Sequence, residues 1–167
     1  MSEKLTKKDI EKIQSEIDHR KLVVRPQALE DVKTARAQGD LSENFEYKAA
    51  KQFKNKNDSR IRYLEKVLKT AQVIDDSSAD DEVGIHNTVT VYIEEDDEEE
   101  TYRITTSISA NSMKDRISID SPMGQALLGK KVGDRVLITV NSDYSYYVVI
   151  RKIENTEEDE SETLRKF

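Results

Sequence analysis

Cysteine is absent from the 167 residues, and so is tryptophan. Without a thiol the chain has no disulfide framework, cannot build a thiolate zinc site, and cannot pair Cys with His as a nucleophile. Histidine occurs only at positions 19 and 86, so most familiar catalytic machinery is missing as well. No apolar run is long enough to span a bilayer. The opening residues, MSEKLTKKDIEKI, lack the hydrophobic stretch of a secretory signal. These absences set the expectation of a soluble, cytoplasmic protein with no membrane partner.

What is plentiful is charge, and it is unevenly placed. Residues 1–75 carry 17 Lys and Arg against 13 Asp and Glu, whereas residues 76–167 carry 10 against 21. One half, net +4, suits an anionic target; the other, net −11, discourages nonspecific association with nucleic acid.

Periodicity divides the chain at the same place. From Ile10 the apolar positions step through Ile13, Ile17, Val24, Ala28, Val32 and Ala35, by threes and fours with a gap near Arg20. A second series runs Tyr47, Ala50, Asn57, Ile61, Leu64, Leu68 and Ala71, with a charged step at Lys54. Each series is a helix with one narrow seam that cannot be buried alone. The connection at Gly39 is short, so the prediction is an antiparallel αα-hairpin over residues 1–75, with its tip at 39–47. Asn57, on the seam, is placed to fix the register. Pro26 removes a helical hydrogen bond, which predicts a kink or short break near Arg25.

After a polar linker at 76–86 the pattern becomes β-rich, with strands expected at 87–94, 101–108, 116–119, 134–140 and 146–153. Between them, Ser121 is suited to cap a short helix, Pro122 to open it and Gly129 to close it. The acidic run 94–100 reads as a solvated hairpin loop, and the acidic tail 154–167 as a frayed terminus. The fold class is α+β, a helical hairpin followed by a small sheet domain at 87–153.

The tip itself reads GDLSENFEY. Asp40 and Glu43 are three positions apart, which suits an N-cap with its N3 partner, a variant of the capping box. The same spacing lets two carboxylates point together at a hard cation such as Mg²⁺, which takes one or two protein carboxylates and fills its shell with water and phosphate oxygens. Leu41 is an apolar residue where solvent is expected, and Arg36, Lys48 and Lys51 stand behind the acids. Such a tip suits a phosphate-rich channel, the bases steering and the acids holding metal.

The segment ARAQGDLSENFEYKAAK resembles the tip motif of the GreA/GreB bacterial transcript cleavage factors. RPQALEDVKTARAQGDLSEN and RIRYLEKVLKTAQVID are similar to that family's two coiled-coil arms, and IDSPMGQALLGKKVGD to its C-terminal signature. The resemblance implies a coiled-coil hairpin and an FKBP-like domain that docks on bacterial RNA polymerase near its secondary channel. It further implies that Asp40 and Glu43 hold a Mg²⁺ jointly with the polymerase and stimulate cleavage of the nascent RNA 3′ end in backtracked complexes. The nuclease would then be the polymerase, and this chain a monomeric factor, not an enzyme. Carried over by position, Leu41, Ser42, Asn44 and Tyr47 support the tip, Arg36 and Lys51 face the RNA, and Asp120, Ser121 and Pro122 contact the polymerase.

Departures from the family pattern fall in the docking domain, at NSDYSY and TTSISANSMKDR. Two other readings stand beside cleavage. One is a regulator that occupies the channel without promoting cleavage. The other is a coiled-coil adaptor or FKBP-like isomerase, disfavoured because the sheet domain has no tryptophan and few aromatics beyond tyrosine to line a proline pocket.

Overall fold

The computed structural model describes residues 2–39, 43–110, 115–156 and 164. The chain divides into two compact units, a hairpin unit of residues 8–72 and a sheet unit of residues 3–7 and 73–166.

In the hairpin unit α1 (Lys7–His19) leads through a π-helical turn, Arg20–Val24, into α2 (Arg25–Arg36), and α3 (Phe45–Thr70) returns. The arms are antiparallel: contacts run from Glu16 with Arg60 through Arg20 with Asn57 to Ala35 with Asn44 at the turn. Arg25 bonds Asp58 and Lys21 faces Glu65. Of the predicted seam, Ile13, Ile17, Ala28 and Ala35 on the first arm and Asn57, Ile61 and Leu64 on the second are buried. The other predicted positions are half-buried, and Val67 is buried in place of Leu68. Burying a side chain such as Ile61 or Leu64 stabilises by about 1.5–3 kcal/mol.

The expected break occurs a few residues ahead of Arg25. Pro26 has no N–H to give the carbonyl four residues earlier, and its ring crowds that carbonyl, so the disturbance falls on the preceding turn. The Arg25 N–H reaches back five residues to the Arg20 carbonyl, the wider π spacing. Asn57 is 3% exposed and reads this turn directly. Its Oδ1 accepts from Arg20 Nη1 at 3.0 Å, and its Nδ2 donates to the Arg20 carbonyl at 3.3 Å. The Asn57 expectation is therefore met by bonds in both directions.

One layer of the hairpin was not foreseen. Arg60 is 5% exposed, with Nε donating to Glu16 Oε2 at 2.8 Å, and Arg20 Nε donates to the same oxygen at 2.8 Å. Partial burial pushes the Glu16 carboxyl up, but hydrogen bonds and charge from Arg60 and Arg20 outweigh it and hold the group below its ordinary 4.5.

The sheet unit begins with β1 (Lys4–Leu5), beside the segment that contains β2 (Gln72–Val73); the Ile74 N–H donates to the Leu5 carbonyl. The main sheet holds β3 (Thr88–Ile93), β4 (Glu98–Thr105), β5 (Arg116–Ser118), β6 (Arg135–Thr139) and β7 (Ser145–Glu154) in the order β5-β4-β3-β7-β6. Pairing is antiparallel except between β4 and β5. Alternate residues Val89, Val91 and Ile93 of β3, Val136 and Ile138 of β6, and Val148 and Ile150 of β7 turn to one face. Met123 and Leu127 of α4 (Pro122–Leu127) join the same core.

Several boundaries differ from the sequence expectation. Residues 3–7 and 73–86 belong to the sheet unit and not to the hairpin or a linker, and β4 ends at Thr105 and not at 108. Two acidic stretches also join strands. Glu98, Glu99 and Glu100 belong to β4, opposite Ile93, Tyr92 and Val91. Ladder pairing is a backbone property, and these glutamates keep their side chains in solvent, so acidity does not end the strand. Glu154 is likewise the last residue of β7, opposite Thr88, and Thr156 bonds the His86 carbonyl. Most of the tail lies outside the described residues.

Candidate functional site at the hairpin tip

α2 ends where Ala37 and Gln38 turn back to the carbonyls of Lys33 and Ala35, and Gly39 takes φ +134°. Glycine alone reaches that conformation without strain, so Gly39 terminates the first arm for a backbone reason. Asp40, Leu41 and Ser42 lie outside the described residues.

The second arm starts from Asn44, the N-cap of α3. Its Oδ1 accepts from the Tyr47 N–H at 2.9 Å, and its Nδ2 donates to the Ala35 carbonyl at 2.7 Å. One amide thus closes the start of α3 and ties it to the end of α2. This corrects the capping-box reading of the acids. The cap is Asn44 and N3 is Tyr47, while Glu43 precedes the cap. An amide succeeds here because it has both an acceptor and a donor; a carboxylate has no donor for Ala35. Glu43 is exposed, so its oxygens are presented to solvent as a hard cation requires. Among the described residues no group of three or more His, Asp or Glu could hold a metal by itself.

Behind the turn, Arg36, Tyr47 and Lys51 come together. The Arg36 guanidinium lies 5.6 Å from the Tyr47 ring centroid and the Lys51 ammonium 6.0 Å. A hydrogen bond from Arg36 draws the phenol below its ordinary 10.0; burial opposes this, and the Lys51 charge adds to it. Sequence reasoning named all three but did not foresee that the ring joins the bases. It also missed Phe45, the first residue of α3, which is 80% exposed. The available signal was an aromatic residue off the seam inside the tip motif.

The residues expected to dock sit at the start of α4. Ser121 caps the helix, its Oγ accepting from the Gly124 N–H at 3.0 Å and donating to the Ser118 carbonyl at 2.6 Å, with Pro122 in the first turn. Gly124 is obligatory, because a Cβ there would sit 2.0 Å from the Ser118 carbonyl oxygen. Asp120 and Pro122 face solvent. The Asp120 carboxylate accepts from Ser107 Oγ at 2.6 Å, and Lys4 Nζ stands 3.8 Å away. Tyr146 and Tyr147 are strand residues of β7, as their spacing predicts, with Tyr144 just before it; Tyr147 lies under Arg135 at 3.6 Å.

The described turn of the helical hairpin thus gathers an exposed carboxylate, two bases and two aromatic rings, on a chain with a separate sheet unit. Residues 3–73 match the family model for GreA/GreB described as "Transcription elongation factor, N-terminal", and residues 78–163 match "Transcription elongation factor, GreA/GreB, C-term". The chain belongs to the GreA/GreB family of transcription elongation factors.

Among its relatives, the transcription elongation factor GreA of Streptococcus pneumoniae serotype 19F is 42% identical over 153 residues, 91% of this chain and 95% of that protein. GreA of Streptococcus gordonii is 43% identical over 154 residues, with the same coverage. A solved structure of the transcription factor Gfh1 aligns over 93% of this chain and 99% of its own at 24% identity, with a TM-score of 0.46. That likeness adds nothing to the family match. Among the described residues no helix is long and apolar enough to cross a membrane.

Proposed function

We propose that the chain, as a monomer, enters the secondary channel of bacterial RNA polymerase and stimulates the polymerase to cleave the RNA of backtracked complexes. The observation that carries this is the cap: Asn44 supplies it, and Glu43 stands exposed before it, so Glu43 is not consumed by the turn. Asp40 and Glu43 would hold Mg²⁺ jointly with the polymerase. When bound, such an ion lowers the pKa of a coordinated water and screens the charge that builds on the phosphate. Two carboxylates alone bind Mg²⁺ weakly, which makes the chain a factor and leaves the nuclease to the polymerase.

Arg36 and Lys51, gathered around Tyr47, attract the displaced RNA and place its phosphates near the acids. Asn44 ties the start of α3 to the end of α2, and Leu41 and Ser42 would support the tip. Asp120 and Pro122 offer the docking contacts, with Ser121 fixing the turn that presents them.

The test is RNA cleavage in a stalled, backtracked elongation complex with Mg²⁺, comparing wild type with Asp40→Ala plus Glu43→Ala. Shortened, extendable RNA from wild type alone supports the reading. Binding without cleavage by wild type overturns it in favour of a channel-occupying regulator.

A further inference from the structure

Phe45 has no packing reason to be where it is. The seam runs through Tyr47, Ala50 and Asn57, and Phe45 is off it, 80% exposed at the first position of α3. The two Asn44 hydrogen bonds fix that position, so the ring is presented, not left over from a fraying end. Glu43, a candidate metal ligand, is two residues away. Lys48, one turn further along, holds its ammonium 5.7 Å from the ring centroid. The same side of α3 continues with Lys51, Gln52, Asn55 and Lys56, which line an open concavity with Lys48.

An uncovered ring followed by a row of ammonium groups is the pattern that receives a single nucleic-acid strand. Every base has a face to stack, and every linkage carries a negative charge. An apolar protein wall would match the ring but not the lysines beside it. We propose that Phe45 stacks on a base of the displaced RNA 3′ segment while Lys48 holds the adjoining phosphate. The ring then sets how firmly the factor grips the RNA beside the acids. This rests on the reading that the hairpin meets backtracked RNA.

The test places 2-aminopurine, whose emission falls on stacking, at each displaced RNA position of a backtracked complex in turn. The factor carries Asp40→Ala plus Glu43→Ala to keep the RNA intact. With Phe45 present the emission falls at one position. Phe45→Leu, still apolar, loses that quenching and Phe45→Trp retains it, all with unchanged helical circular dichroism. In the cleaving factor, Phe45→Leu slows the reaction about ten-fold at subsaturating concentration. An abasic sugar at the quenched position removes the difference.

Absence of quenching at every position, or full quenching with Phe45→Leu, overturns the proposal. A ring that acts only against the channel wall gives the first of these results. Quenching that depends on Phe45 in a complex that wild type fails to cleave sinks the catalytic reading of the acids and leaves the stacking contact standing.

Discussion

Glu16 shows how one side chain couples the two arms. Its Oε2 accepts from Arg20 on its own arm and from Arg60 on the other, each at 2.8 Å. Glu16→Gln weakens both charge-assisted bonds and is expected to destabilise the hairpin by about 1–3 kcal/mol at neutral pH. The folded carboxyl lies below the ordinary 4.5, so its contribution is complete above that pH and is lost as pH falls through the folded value. Urea denaturation followed by circular dichroism at several pH values should therefore show the gap between wild type and Glu16→Gln closing below about pH 4.5. A gap independent of pH would assign the loss to packing. None of this was legible in the sequence, because Arg60 reads as one more exposed charge on a charged helix until its partner 44 residues away is known.

At the scale of the element, Asn44 is the residue that joins the end of α2 to the start of α3. Asn44→Ala removes the cap of α3 and the tie to Ala35 together, with an expected cost of about 1–2 kcal/mol. Asn44→Asp keeps an acceptor for the Tyr47 N–H but has no donor for the Ala35 carbonyl, so it should fall between wild type and Asn44→Ala. Thermal melts of the three proteins order them. If Asn44→Asp matches wild type, the Ala35 bond contributes nothing. Pro26 teaches the complementary lesson about legibility. The sequence predicts a break there, and the structure puts it at Arg20–Val24, because proline's missing donor is felt one turn earlier.

The whole molecule is two units with their own cores, and its charge is divided in the same way. Gly124→Ala drives a Cβ to 2.0 Å from the Ser118 carbonyl oxygen. It should lower the unfolding transition of the sheet unit and leave that of the hairpin in place, read by calorimetry as a shift of one of two components. A common shift of both would show one cooperative unit. The basic character of the hairpin half makes RNA engagement salt-dependent. Factor-dependent cleavage should weaken between about 50 and 200 mM salt, and Lys51→Ala should reduce the log–log slope by about 0.7, the share of one single-strand phosphate contact. An unchanged slope would remove Lys51 from the RNA path.

Local patterns in the sequence determined the seams of both arms, the change from helical to strand periodicity, the glycine stop at the tip, and the Ser121 cap of α4. Each follows from residues within a turn or two of one another, where backbone sterics and apolar spacing dominate. Only the tertiary structure decided that Asn44, not Asp40, caps α3, since the choice turns on the Ala35 carbonyl across the turn. The same holds for Arg60 beneath Glu16, for the glutamates that extend β4 against β3, and for the Ser107 bond to Asp120. In each, a polar residue is placed by a partner on another element or across a turn, and hydrophobic periodicity carries no record of such partners.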